Sequence, residues 1–279
     1  MTPTYPVLPG SQIEIIQPAI QRGNIRHALF DFDGTISLIR EGWQAVMQPM
    51  MVEILMQTPR HEERDQIEAL VKEFVTRLTG KQTVYQMIQL AEEIEKRGGQ
   101  AKDPLVYKHQ YHALLMEHIQ HRLEQLKAGQ ANPVDMVVPG SFEILKSLRE
   151  RGVACYLASG TDEVFVLEEA ELLGVTPYFK GVYGAQDDYK NFSKKMVIDR
   201  IIQENHLGGS ELVAFGDGYV EIEDTKSVGG ISVGVASNEA TRAGIDEWKR
   251  SRLIAAGADV IVPDFGEHEQ LVRYLFMEE

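Results

Sequence analysis

The chain has 279 residues, enough for one large α/β domain or for a core with a smaller second module. Hydrophobic residues make up 43% and aromatic residues 8%, ample for a buried core, while 28 basic against 42 acidic side chains leave a formal charge of −14. So acidic a surface argues against nucleic acid and anionic membranes as partners, but leaves a small anionic substrate open, since a local pocket can be positive or metal-loaded.

At the N-terminus the basic, apolar and small-residue pattern of a leader is missing, and no apolar run approaches the roughly 18 residues of a membrane span. The expectation is a soluble, cytoplasmic protein, monomer or homodimer. Residues 27–33, His-Ala-Leu-Phe-Asp-Phe-Asp, form a short apolar run that ends in carboxylates, as a buried strand does on meeting a loop. From about Gly42 to Leu126 the pattern turns amphipathic, with turn signals at Pro59, Gly80, Gly98-Gly99 and Pro104. Val84, Ile88, Ala91 and Ile94 share one helical face, and Leu114, Leu115, Ile119, Leu123 and Leu126 another, which predicts roughly four helices without an intervening strand. His109 and His112, then His118 and His121, repeat a three-residue spacing, but no carboxylate pattern joins them and they read as ordinary helix positions.

Beyond the turn-rich Gly129–Pro139 stretch the chain alternates. A helix is predicted over Phe142–Arg151, a strand over Val153–Ala158, a helix over Glu163–Leu173 and a short strand at Val182–Tyr183. A further helix starts near Ser193, followed by strands at Leu212–Phe215, Ile231–Val235 and Val260–Val262 with helices between them. The lone cysteine, Cys155, lies inside an apolar strand and excludes both a disulfide framework and a Cys-rich zinc site. Alternation of strand and helix implies right-handed crossovers and a parallel sheet covered on both faces, so the helical stretch is an insertion after the first core strand. Ligands of such sheets bind beyond the carboxyl ends of the strands.

Four strand ends or helix starts carry suitable polar groups. Asp31-Phe32-Asp33-Gly34-Thr35 offers two carboxylates and a glycine for a tight exit, and Ala158-Ser159-Gly160-Thr161 a hydroxyl and backbone N–H groups before a helix, suited to phosphate oxygens. Lys190-Asn191-Phe192-Ser193-Lys194-Lys195 supplies a lysine near a helix start, with Lys194 the best placed because Ser193 can cap and Val197, Ile198 and Ile201 follow on one face. Gly216-Asp217-Gly218-Tyr219-Val220-Glu221 places two acids four residues apart. Several carboxylates in one crevice repel and are costly to desolvate without a cation, and hard oxygen donors favour Mg²⁺.

Taken in order, these motifs resemble the haloacid dehalogenase superfamily of phosphatases. The resemblance covers roughly residues 25–40 and 138–279. It implies a Rossmann-like three-layer parallel-sheet core built from residues 1–38 and 138–279, with an all-helical cap of the first type at 39–137. It further implies Asp31 as nucleophile forming an aspartyl-phosphate, Asp33 as general acid and base, and Ser159, the Gly160 N–H and Lys194 as phosphoryl-binding groups. Mg²⁺ would be held by the Asp31 side chain, the Asp33 carbonyl and Asp217, with Glu221 as an additional metal acid. Arg40 near the hinge and Lys81 in the Thr79–Thr83 turn are candidates to contact the leaving group. The expected activity is hydrolysis of a small phosphorylated metabolite, such as a sugar phosphate or phosphoglycolate. The alternatives are a phosphomutase of the same superfamily and a catalytically silent phosphate-binding regulatory module.

Overall fold

The apolar run before Asp31 becomes an inner strand of a seven-stranded sheet. The protein is seen here as a computed structural model that describes residues 5–189 and 192–278. Its strands are β1 (Glu14–Ile15), β2 (His27–Phe30), β3 (Ala154–Asp162), β4 (Phe179–Ala185), β5 (Leu212–Gly216), β6 (Ile231–Val235) and β7 (Val260–Val262). They lie side by side in the order β1-β7-β6-β5-β2-β3-β4, and only β1 runs antiparallel to its neighbour. Strands buried on both faces should be apolar throughout rather than alternating. All four residues of β2 and all five of β5 are buried. Phe30 sits opposite Phe215 across β2 and β5, the rings stack at 4.5 Å, and Phe265 meets both edge-on.

Four helices fill the chain between β2 and β3: α1 (Trp43–Met56), α2 (Arg64–Leu78), α3 (Thr83–Lys96) and α4 (Pro104–Lys127). Helices α5 (Ser141–Glu150), α6 (Glu163–Leu172), α7 (Lys194–Asn205), α8 (Tyr219–Ser227), α9 (Glu247–Ala255) and α10 (His268–Phe276) cross between or follow the later strands. The result is the α/β, Rossmann-type sheet read from the sequence. No helix among the described residues is long and apolar enough to cross a membrane. Cys155 is 2% exposed, and burial pushes its thiol up to about 12, which leaves it inert in the core.

Two differences from the sequence reading bear on the site. The β3 strand does not stop at Ala158 but stays extended to Asp162, with a register shift against β4 between Ala158 and Asp162. Helix α6 starts at Glu163, where the sequence reading placed it, so the strand rather than a loop carries Ser159 to Asp162 up to the helix. The β4 strand is seven residues long rather than two, because Gly181 and Gly184 dilute its apolar signal. A side chain at Gly184 would run into the Glu163 backbone, so the glycine is what lets α6 begin against β4. The two-residue β1 is too short to show any periodicity.

Candidate active site

Beyond Phe30 the chain leaves β2 through Asp31-Phe32-Asp33-Gly34. Gly34 has φ +74°, and a Cβ there would collide with the Asp217 carboxylate, so the tight exit brings the two acidic motifs together. Asp31 is 5% exposed, and its Oδ1 accepts from Lys194 Nζ at 2.7 Å. Burial pushes its carboxyl up to about 7, against the pull of Lys194 and with the help of Asp217 and Asp33. Asp33 Oδ2 accepts from Thr161 Oγ1 at 2.7 Å and Ser159 Oγ at 3.3 Å. Its Oδ1 is buried without a hydrogen-bond partner, 3.8 Å from Arg40 Nε. The extension of β3 is what delivers Thr161 to this carboxylate, a contact the sequence reading missed.

Ser193 caps α7 by accepting from the Met196 N–H at 3.2 Å, which puts Lys194 in the first turn and 6% exposed. Lys194 reaches both Asp31 and Glu221, whereas Lys195 is exposed and pairs with Asp199 one turn on at 3.1 Å. Lys190 lies outside the described residues. Lys194→Ala should therefore cut turnover by about 10²-fold or more, and Lys195→Ala by less than about twofold, compared as kcat at saturating ester. Equal losses would mean that the buried ammonium has no special part.

Glu221 sits behind Lys194, with its Oε2 buried and without a hydrogen-bond partner among the described residues. Its carboxylate is fully buried, bonds Lys194 and does not line the cavity. Asp217 precedes the first residue of α8, so the four-residue spacing to Glu221 is not a helical one.

Asp217 meets a lysine that the sequence reading did not single out. Lys249 Nζ is 2.7 Å from Asp217 Oδ2, 2.7 Å from Glu239 Oε1 and 3.1 Å from Ser237 Oγ. Burial works against this ammonium, but Asp217 and Glu239 together hold its pKa above the ordinary lysine value. Asp246 caps α9 through the N–H groups of Trp248 and Lys249, so Lys249 sits in the first turn. A cation is disfavoured there by the helix dipole. Lys194 and Lys249 share that misfit, and it is the signal that would have found Lys249.

Among the described residues no three His, Cys, Asp or Glu side chains cluster closely enough to hold a metal ion by themselves. Mg²⁺ does not need such a cluster, since it binds through one or two carboxylates and keeps several waters. Asp31, Asp33, Asp217 and Glu239 line one cavity, and the unpartnered Asp33 Oδ1 shows that its polar groups are not all satisfied internally. The donor set fits the ion.

Arg40 is buried and held from behind. Its Nη2 and Nε donate to Glu169 at 2.6 and 3.0 Å, and Glu169 is 2% exposed. Burial opposes the guanidinium charge, and Glu169 and Asp33 more than restore it. Arg40 lines the cavity while its guanidinium is held by Glu169. Lys81 borders the cavity, but its side chain is exposed and its ammonium lies 5.8 Å from the Tyr85 ring centroid. The backbone of its turn is what touches the core: a Cβ on Gly160 would lie 3.1 Å from the Lys81 carbonyl, and one on Gly218 would lie 3.1 Å from Gly80 Cα. Gln82 adds a hydrogen bond from Nε2 to the Phe192 carbonyl at 2.7 Å. The cavity below this seam has a volume of about 110 Å³.

Comparison with known proteins agrees with this geometry. A family model described as haloacid dehalogenase-like hydrolase matches residues 25–229. No curated protein sequence matches the chain significantly. Among solved structures, a predicted phosphoglycolate phosphatase from Haemophilus somnus is similar at TM-score 0.59 and 14% identity, covering 89% of this chain and 98% of that one. A β-phosphoglucomutase from Clostridium difficile gives TM-score 0.59 at 13% identity over 90% and 98% of the two chains. A predicted phosphatase from Clostridium acetobutylicum gives 0.56 at 18% identity over 89% and 99%. At such identities the structures speak for the fold, and the family match, spanning most of the chain and all four motifs, speaks for the family. The chain belongs to the haloacid dehalogenase-like hydrolases.

Proposed function

We propose that this hydrolase is a Mg²⁺-dependent phosphomonoesterase that acts on a small phosphorylated metabolite through an aspartyl-phosphate, with residues 39–137 as its cap. The observation that carries the reading is convergence. Asp31, Asp33, Ser159, Lys194 and Asp217 come from separate chain segments and line a single cavity.

With Oδ1 of Asp31 held by Lys194, Oδ2 is the oxygen free to attack phosphorus. As that bond forms, the bond from phosphorus to the ester oxygen breaks, and Asp33 passes a proton from Oδ1 to the leaving alkoxide. Water then attacks the aspartyl-phosphate, Asp33 takes its proton, and inorganic phosphate leaves with Asp31 restored. Thr161 and Ser159 fix Asp33 by its other oxygen, which leaves Oδ1 for the proton. Lys194, Ser159 and the Gly160 N–H would hold phosphoryl oxygens, and Glu221 holds Lys194 in place. The Asp31 and Asp217 carboxylates with the Asp33 carbonyl would hold Mg²⁺, which supplies charge neutralisation at the phosphoryl group.

The test is release of phosphate from para-nitrophenyl phosphate and a panel of metabolite esters. Activity should vanish in EDTA, return with Mg²⁺ and fall in excess Ca²⁺, whose longer bonds and higher coordination number would draw in both oxygens of Asp31. Full activity after exhaustive chelation would sink the metal part of the reading.

A further inference from the structure

The part of the cavity away from the acids is built by three helices, each with a pair of side chains at helical spacing. Trp43 and Met47 come from α1, Thr83 and Gln86 from α3, and Tyr111 and Leu115 from α4. Gln86 is 3% exposed and Tyr111 6% exposed, yet neither polar end has a hydrogen-bond partner among the described residues. Each side chain is buried as a whole but its polar end is open onto the cavity, where the amide and the phenol are available to a ligand. Burial raises the Tyr111 phenol pKa, which keeps it a neutral donor.

Charge around this chamber is already spent. Arg40 is paired with Glu169, Lys194 with Asp31 and Glu221, and Lys249 with Asp217 and Glu239. The further charge on the chamber wall is an acid, Glu41, whose partner Arg122 approaches at 2.8 Å but does not line the cavity. Lys81 stands at the mouth, turned to Tyr85. A second anion on the leaving group would meet Glu41 and cations already paired with acids, while the Lys81 ammonium, unpaired among the described residues, is exposed and lies by the Tyr85 ring. A hydroxylated carbon chain would instead find amide, phenol and hydroxyl groups on one side and the Trp43, Met47 and Leu115 surfaces on the other.

We infer that the chamber selects phosphate esters whose leaving group is neutral, short and hydroxylated, and rejects esters that carry a second anion. This rests on the phosphomonoesterase reading and narrows it. The whole cavity, phosphate end included, has a volume of about 110 Å³, well below the roughly 300–1,000 Å³ of sites for drug-sized ligands, and the chamber is only part of it, which sets the length limit. Phosphoglycolate, with its carboxylate, falls in the rejected group. So does the bisphosphate that a sugar phosphomutase would turn over in the same chamber.

The experiment compares kcat/KM of the full chain on glycerol 1-phosphate and erythritol 4-phosphate with that on 2-phosphoglycolate, 3-phosphoglycerate and fructose 1,6-bisphosphate. The neutral esters should lead by about 100-fold or more. Gln86→Lys, which puts a cation in the chamber, should raise kcat/KM for 2-phosphoglycolate by about tenfold and lower it for glycerol 1-phosphate. Comparable rates on neutral and anionic esters in the wild-type protein overturn the inference, as does a Gln86→Lys variant with an unchanged ratio. Hydrolysis of para-nitrophenyl phosphate that depends on Asp31 keeps the phosphatase reading standing in either case. Absence of Asp31-dependent hydrolysis of every ester would overturn both.

Discussion

Asp31→Asn is expected to lower phosphate release by about 10⁴-fold or more while leaving the fold intact. An amide has nearly the shape of the carboxylate but does not attack phosphorus. The fold should tolerate the change for a reason specific to this site. Burial raises the Asp31 carboxyl from its ordinary 3.8 to about 7, with Lys194 opposing the rise, so keeping the group ionised costs folding free energy. The native state binds the extra proton between those two values. In the metal-free protein the stability from this group therefore falls as pH climbs from 3.8 to 7 and stays reduced above that. Asparagine removes the cost. Measured in EDTA at pH 8, the Asn variant should melt no lower than the wild type, although Lys194 loses one of its two partners. A variant that is inactive and also melts many degrees lower would make Asp31 a structural acid.

The buried pair between Arg40 and Glu169 should show the next largest effect. Their side chains are 8% and 3% exposed and meet at 2.6 Å. Such a pair adds little over apolar packing, but removing one member strands the other charge at a cost of about 3–5 kcal/mol. Glu169→Leu is expected to lower Tm by roughly 10 °C. The double variant Arg40→Met with Glu169→Leu should recover most of that loss. It should not recover activity, because Arg40 Nε also stands 3.8 Å from the unpartnered Oδ1 of Asp33. Recovery of kcat along with Tm would show that Arg40 serves packing alone.

The acids of this site were legible because each closes an apolar run. Asp31 follows His-Ala-Leu-Phe, and Asp217 follows Leu-Val-Ala-Phe-Gly, both strands buried along their length. Lys194 was legible from the Ser193 cap. Partners brought in by tertiary structure were not. Thr161 reaches Asp33 because β3 runs past the point where its apolar residues stop. Glu221 was singled out by its distance in sequence from Asp217, but its bond to Lys194, made as α8 packs against α7, was not read. Arg40 was singled out correctly as a residue near the first motif, yet its tie to Glu169 spans 129 positions and leaves no local trace. The chamber pairs on α1, α3 and α4 were not read from the sequence, because nothing in a helical pattern says which faces converge.

A seam of bare backbone joins the turn at residues 79–83 to the core beside the candidate site. Gly80 rests on Gly218, one residue past Asp217, and the Lys81 carbonyl rests on Gly160, one past Ser159. A methyl group at Gly160 or Gly218 would fit only if its neighbour moved. Polar contacts flank the bare backbone: Gln82 Nε2 donates to the Phe192 carbonyl at 2.7 Å, Arg252 Nη2 donates to the Thr79 carbonyl at 3.3 Å, and Lys108 pairs with Asp162 at 2.6 Å. In the proposed hydrolase, backbone packed this closely beside Ser159 and Asp217 would keep bulk water from the reacting phosphoryl group, and a side chain added at Gly160 or Gly218 would loosen that shield first.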